Sequence, residues 1–278
     1  MRKKENYNPK KFWEQRLSNQ TLDICSVGYS GLGYTYNSWL YRTRFAALSR
    51  ALFKTHLQID GKSVLEGGVG SGIYLPFWQH HGARTIIGID ITEASVKALT
   101  IRYPQHSFFE RDLTTDELDV PGAPFDIVTA QDVLFHIIDD DGFSRAIQNL
   151  SKLLRSNGYL IISDGFCNKP WGPVFHEYHR SRSHYERELN ILGIRIIHIE
   201  PIFFTMLTPL CGSSLLQKVS KVEIRLIQKY NSIRWLKWVN NWIGFALSTT
   251  DRFLGNSLKD GPSLKILIAQ KKLISITH

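Results

Sequence analysis

The sequence predicts an α/β fold: a seven-stranded, mostly parallel sheet covered by helices, with a helical N-terminal segment and a helical insertion before the last strand. Three observations lead there. Through the middle of the 278-residue chain, short runs rich in β-branched residues alternate with stretches of helical periodicity. The first such run ends in a glycine cluster, EGGVGSG at 66–72, which suits a strand turning tightly into a helix. The flanking segments break the alternation and are helix-forming and aromatic.

The elements follow in order. Lys62–Leu65 is a strand entering the glycines, and Ile73–His80 a helix leaving them. Arg84–Ile89 is a buried strand ending at Asp90; Thr92 then caps a helix over Thr92–Ile101, with Glu93 favourably placed in its first turn. Ser107–Phe109 runs into Glu110-Arg111-Asp112, and Phe125–Ala130 is the fourth strand. Phe143, Ala146, Ile147, Leu150 and Leu154 share one helical face within 142–154, with the preceding Asp139-Asp140-Asp141 as its cap. Asn157-Gly158 turns into the fifth strand, Tyr159–Ser163. His184–Leu192 is helical, Ile194–Ile199 a sixth strand and Leu264–Ala269 a seventh. The expected organisation is an N-terminal helical lid (1–56), a ligand-binding core (57–200), a helical insertion (201–262) and a final strand with its tail (263–278).

Composition narrows the class. Hydrophobic residues make up 43% and charged residues 21%, a globular balance. Apolar stretches fall well short of the ~18 residues of a membrane span, and the charged N-terminus is followed by no apolar segment of the kind secretory signals carry. Cys25, Cys167 and Cys211 are widely spaced and odd in number, which points to reduced thiols in a cytoplasmic protein rather than a disulfide framework or a Cys-rich zinc site. The net charge of +9 is unevenly spread: residues 1–56 hold ten basic and three acidic side chains, 57–199 thirteen and eighteen, and 200–278 eleven and four. Basic ends around an acidic centre suit an anionic substrate, a membrane surface or RNA better than a uniform nucleic-acid-binding face.

The glycine loop discriminates among ligands. A phosphate loop needs Lys where Ile73 follows Gly72, and a dinucleotide fingerprint needs a third glycine at that same position. The observed order is Glu66, Gly68, Gly70, Gly72 beside Gly67, with a carboxylate at the strand end and no basic partner for phosphate. That set suits a ribose and a cationic group rather than a pyrophosphate.

With these residues the chain resembles the class I S-adenosylmethionine (SAM)-dependent methyltransferases. VLEGGVGSG is similar to their glycine loop, GIDIT (88–92) to their second strand, ERDL (110–113) to their adenine loop, FDIVTAQDVLFHI (125–137) to their fourth strand and LLRSNGYLIISD (153–164) to their fifth, over about residues 57–200. The resemblance implies a Rossmann-like sheet and SAM as cofactor, leaving S-adenosylhomocysteine as product. It implies cofactor contacts from Glu66, Gly67, Gly68, Gly70, Gly72, Asp90 and Ile91, with Asp90 on the ribose hydroxyls. Asp112 and Leu113 would sit at the adenine, and Gln131 nearby. Beyond the fourth strand His136 is the candidate general base, with Asp132 beside it. Tyr29 and Tyr34 of the aromatic lid, which also holds Tyr36, Trp39 and Tyr41, together with His176 and His179 are the candidate substrate residues.

AQDVLF lacks the DPPY-like signature of adenine-methylating relatives, so a DNA target is not expected; nor is a metal. The expected acceptor is a small molecule, at a hydroxyl of a secondary metabolite or sugar in natural-product biosynthesis, with N- or C-methylation as the alternative. A nicotinamide oxidoreductase is disfavoured by the glycine pattern. Trp235, Trp238 and Trp242 recur on one helical face, which leaves open a peripheral membrane contact, a homodimer through the insertion, or a membrane- or RNA-binding protein on a vestigial cofactor fold.

Overall fold

The computed structural model describes residues 7–18, 22–211, 214–233 and 237–272. Three helices open the chain: α1 (Pro9–Ser18), α2 (Ile24–Val27) and α3 (Gly33–Thr55). The central alternation is β1 (Ser63–Gly67), α4 (Leu75–His80), β2 (Thr85–Asp90), α5 (Glu93–Arg102), β3 (Ser107–Glu110), β4 (Phe125–Ala130), α6 (Asp140–Leu153) and β5 (Leu154–Asp164). A short hairpin, β6 (Trp171–Val174) and β7 (Glu177–His179), precedes α7 (Arg182–Ile191) and β8 (Ile194–Pro201); α8 (Ser214–Ser232), α9 (Lys237–Ser257) and β9 (Lys265–Lys271) complete it.

The seven-stranded sheet has the order β3-β2-β1-β4-β5-β9-β8. Only β9 runs antiparallel, between β5 and β8. Alternate side chains of each strand feed opposite faces. Val64, Ile127, Ile161 and Ile268 join Leu40, Ala47, Leu48 and Ala51 of α3 in one core. Leu65, Val128, Leu160, Ile162 and Leu267 join Phe143, Ile147 and Leu150 of α6 and Tyr185 and Leu189 of α7 in the other. Strand order reverses between β1 and β4, and open α/β sheets bind ligands at the carboxyl ends on either side of such a reversal.

The expected strands are all present, within a few residues, and the caps follow sequence logic: Thr92 Oγ1 accepts from Ser95 N at 3.4 Å, and Asp139 Oδ1 from Gly142 N at 2.7 Å. Three features differ from expectation. Residues 33–55 form a core helix with Tyr36, Leu40, Ala47 and Leu48 fully buried, so only α1 lies as a lid would. The β6–β7 hairpin was not anticipated because its sequence, with Gly172 and Pro173, carries no alternating pattern. Cys167 and Cys211 are joined as a disulfide, their Cα atoms 5.8 Å apart; 44 residues separate them in sequence, and only the fold of β5 and β8 toward one end of the sheet brings them together. This corrects the expectation of reduced thiols, although Cys25 stays free.

One buried ionic cluster fastens α3 to β8. Glu200 is fully buried and takes hydrogen bonds from Arg50 Nε at 2.8 Å and Lys54 Nζ at 2.9 Å, with His198 Nε2 at 2.8 Å. Burial opposes its ionisation, but the bonds from His198, Arg50 and Lys54 outweigh that and hold the carboxyl below its ordinary range. A depressed folded-state value contributes stability that is complete above the unfolded value and is lost as pH falls through the folded one. Glu200→Ala should therefore lower unfolding stability by about 3 kcal/mol at neutral pH, and the difference from the parent should shrink in urea titrations as the buffer is acidified.

Candidate active site

The glycine loop is held to the end of β2 by its own backbone. Gly68 N and Val69 N both donate to the Ile89 carbonyl, at 2.8 and 3.0 Å. Gly70 N donates to Asp90 Oδ2 at 2.9 Å, and Ser95 Oγ to the Gly70 carbonyl at 2.5 Å. Gly68 and Gly70 adopt φ of +70° and +53°. A Cβ at Gly68 would fall 2.4 Å from Val133, and one at Gly70 2.8 Å from Val27, so side chains are excluded twice over.

The loop borders a cavity of about 560 Å³ at the switch point. Glu66, Asp90 and Asp112 all line it, at the ends of three neighbouring strands. Asp90 is fixed by Thr92, whose N and Oγ1 donate to Oδ1 at 3.0 and 2.7 Å. Asp112 Oδ1 takes Thr114 N and Oγ1 at 2.8 and 2.7 Å, and among the described residues its second oxygen has no hydrogen-bond donor. Each carboxylate keeps lone pairs for a ligand. Glu66, 2% exposed, has one side-chain hydrogen bond among the described residues, from Trp78 Nε1 at 3.1 Å to Oε2. Burial, augmented by the negative Asp90 and opposed by that bond, pushes its carboxyl up to about 8. Burial likewise raises Asp90, against the bonds from Thr92 and Gly70. Two adjoining buried acids thus wait for a positive group or hydrogen-bond donors.

The remaining expected residues divide. Gly68, Gly70, Ile91, Leu113, Gln131, Asp132 and His136 line this cavity, whereas Gly67 and Gly72 stand behind it. At Gly72 a Cβ would meet Leu99 at 2.7 Å and Leu75 at 2.9 Å, so that glycine serves helix packing. Asp132, at φ +57°, is occupied: Arg44 Nε reaches Oδ2 at 2.8 Å, Ser163 Oγ donates to Oδ1 at 2.9 Å, and Asp132 N donates to Ser163 Oγ at 2.7 Å. It anchors α3 to β4, its charge balanced by Arg44. His136 sits on a 3-10 turn, Leu134–His136, not on a helix, and its Nδ1–H donates to the His176 carbonyl at 2.8 Å. Burial and the nearby His176, His179 and Arg16 outweigh that bond and push it down to about 3, too weak a base for efficient proton removal near neutrality. The two expected catalytic residues thus both border the cavity, Asp132 ion-paired with Arg44 and His136 engaged through Nδ1.

Among the substrate candidates, Tyr34 is 64% exposed and borders neither described cavity. The His176 ring is stacked between Phe12 and His136, at centroid distances of 4.9 and 5.3 Å, and also borders neither. Tyr29 and His179 line a second cavity of about 300 Å³, with Phe135, Trp171 and Glu177. His179 Nδ1 is in close contact with Asp164 Oδ1, and the Tyr185 hydroxyl donates to Asp164 Oδ2 at 2.5 Å. All three are buried. The lid was only partly seen. Tyr7, Asn8, Lys10, Trp13 and Leu17 wall the first cavity. Glu14 fastens α1 by accepting from Glu93 N and Ala94 N at 2.8 and 3.0 Å, where a negative group complements a helix N-terminus. The i, i+4 apolar pair Trp13 and Leu17 was the available signal.

A methyltransferase-domain family model matches residues 36–199. The chain belongs to the methyltransferase-domain family. Among similar proteins, a "Probable S-adenosylmethionine-dependent methyltransferase" of Mycolicibacterium smegmatis is 33% identical over 103 residues, 37% of this chain and 38% of that protein. A ubiquinone biosynthesis O-methyltransferase of Bradyrhizobium diazoefficiens is 28% identical over 114 residues, 41% of this chain and 43% of that protein. The chain thus spans about two fifths of the length of these curated relatives. The fold is shared with magnesium protoporphyrin IX methyltransferase of Synechocystis PCC 6803, solved with bound SAM: TM-score 0.52 at 15% identity, covering 97% of this chain and 95% of that one.

The methyltransferase cofactor fits the cavity: it offers a cation, a ribose diol and an adenine amino group to three carboxylates. Asp90→Asn should weaken S-adenosylhomocysteine binding by roughly tenfold or more in calorimetry, since it removes a charged acceptor. The raised Glu66 carboxyl gives a second expectation. Folded protein holds a proton that unfolded chain releases between the ordinary value and about 8, so ligand-free stability falls as pH rises through that window. An ammonium bound beside Glu66 drives its ionisation. Binding at pH 7 should release a proton, seen as a dependence of the calorimetric enthalpy on buffer ionisation, and Glu66→Gln should abolish that release.

Proposed function

We propose that this methyltransferase transfers the methyl group of SAM to a hydroxyl of a small metabolite, with the cofactor in the first cavity and the acceptor reaching it from the second. The observation that carries the reading is the trio of cavity-lining carboxylates, Glu66, Asp90 and Asp112, with no cation of the glycine loop to hold phosphate. SAM supplies an already activated methyl on a sulfonium. What is left to the chain is to align the acceptor, exclude water and accept a proton.

α1 supplies the cover. Tyr41 and Tyr74 border the same cavity, and burial pushes both phenols up, so they stay protonated and act as donors. For the proton, His179 is the better base. Asp164 takes the Nδ1 side and is itself held by Tyr185 and by Gly165 N at 2.6 Å. The carboxylate fixes the tautomer and stabilises the imidazolium, and Nε2 is the ring nitrogen left for the second cavity that His179 lines. Tyr29, Phe135 and Trp171 beside it suit a flat or ring-bearing acceptor. The ubiquinone O-methyltransferase relative supports oxygen as the acceptor atom.

Thermal unfolding with S-adenosylhomocysteine, with NAD as control, tests the cofactor: a ligand at a hundred times its dissociation constant adds about 2.7 kcal/mol, and only S-adenosylhomocysteine should raise the midpoint. With radiolabelled SAM and a panel of phenols, quinols and sugars, His179→Ala should cut turnover by about 10²-fold or more and flatten the pH–rate profile. An unchanged profile removes His179 from the role.

A further inference from the structure

We propose that the outward faces of α8 and α9 form a docking surface for an anionic lipid bilayer. On α8, Val219, Val222 and Leu226 recur at three- and four-residue spacing and are exposed at 58%, 56% and 45%. Lys218, Lys221, Arg225 and Lys229 flank them and are exposed too. On α9, Trp238, Trp242 and Phe245 repeat the pattern at 61%, 63% and 46%, continued by Phe253 at 69%.

The acids of the two helices are turned away. Asp251 is buried, accepting from Thr205 N and Oγ1 at 2.8 and 2.7 Å, and Glu223 keeps one carboxylate oxygen buried. Asp260, just past α9, is neutralised by Lys265 at 2.7 Å. Among the described residues of α8 and α9, no carboxylate is exposed.

Charge selects the occupant. A second copy of the chain docked through the same face would set cations against cations. A single-stranded RNA would match the charge and could stack on Trp238 or Trp242, but it would leave the aliphatic row Val219, Val222 and Leu226 facing water. An anionic bilayer satisfies both components: aliphatic and aromatic side chains enter the headgroup–acyl boundary while Lys and Arg meet lipid phosphates. None of the described helices is long and apolar enough to cross the membrane, so the contact is peripheral. Lys221 and Ile224 of α8 also wall the second cavity, so the surface and the proposed acceptor site share a helix.

Co-sedimentation of the full chain with vesicles tests this independently of catalysis. Vesicles containing phosphatidylglycerol should bind it, phosphatidylcholine alone should not, and added salt should release it. Leu226→Glu combined with Trp242→Glu should lower the partition coefficient about tenfold or more. Phe53→Glu, at a side chain more exposed than either but on α3, should leave it unchanged, and Trp242→Ser alone gives a milder variant. A retained thermal shift with S-adenosylhomocysteine verifies that each variant is folded. Binding to neutral vesicles as tightly as to anionic ones, no vesicle binding, preference for an RNA homopolymer, or a dimer dissolved by the same substitutions would each overturn the proposal.

Discussion

The site depends on one carboxylate. Asp90 closes β2, and its two oxygens are shared among Gly70 N, Thr92 N and Thr92 Oγ1. Those bonds pin the glycine loop to the neighbouring strand and start α5 at the same point. Without them the loop, with three positive-φ glycines, has many conformations to lose on folding. The same oxygens border the cavity. Asp90 therefore organises the backbone and presents charge with one group, and its burial raises the energy of that charge until a ligand shares it.

This concentration of acid inside a chain of net charge +9 has a physical sense. Glu66 and Asp90 sit where solvent is nearly excluded, so their mutual repulsion is felt strongly. Of the cations near the site, Lys10 and Arg111 border the cavity but bond Glu110 and the Asp119 and Glu110 carbonyls, and Arg44 is spent on Asp132 at 2.8 Å with its guanidinium 5.0 Å from the Tyr41 ring and 4.8 Å from Phe203. The Arg44–Asp132 pair positions α3 against the end of β4 and removes Asp132 from the cavity's unpaired charge. A cation admitted to this cavity thus finds two raised acids and no competing protein cation bonded to either.

How far the sequence was legible follows from the range of the interactions. Val64/Leu65, Ile127/Val128 and the glycines between strand and helix announce themselves within a few residues, because pleat and turn chemistry are local. Glu66 and Asp90 were legible at the ends of β1 and β2, whereas Asp112, two residues past β3, was pointed to by the family resemblance of ERDL. His136 shows the limit. Its position after β4 is readable, but the Trp13 ring at 4.9 Å and the His176 carbonyl that desolvate and orient it come from 123 and 40 residues away. The Cys167–Cys211 pair and the Glu14 cap on α5 are long-range in the same way, and the β6–β7 hairpin has no periodicity to read.

The two histidines make the last step. His136 and His179 both touch Phe135, with ring centroids 4.4 and 4.5 Å away, yet they have opposite surroundings. One is buried beside His176 and Arg16, and burial above all lowers its proton affinity although it donates to the His176 carbonyl. The other is backed by a buried carboxylate that Tyr185 and Gly165 hold in place. What the Nδ1 side meets, a carbonyl in one ring and a carboxylate in the other, distinguishes the two more than nearness to a motif does. Phe135 stands between an imidazole that borders the first cavity and one that borders the second with its Nδ1 on a buried carboxylate, and proximity to the fourth strand singles out the former.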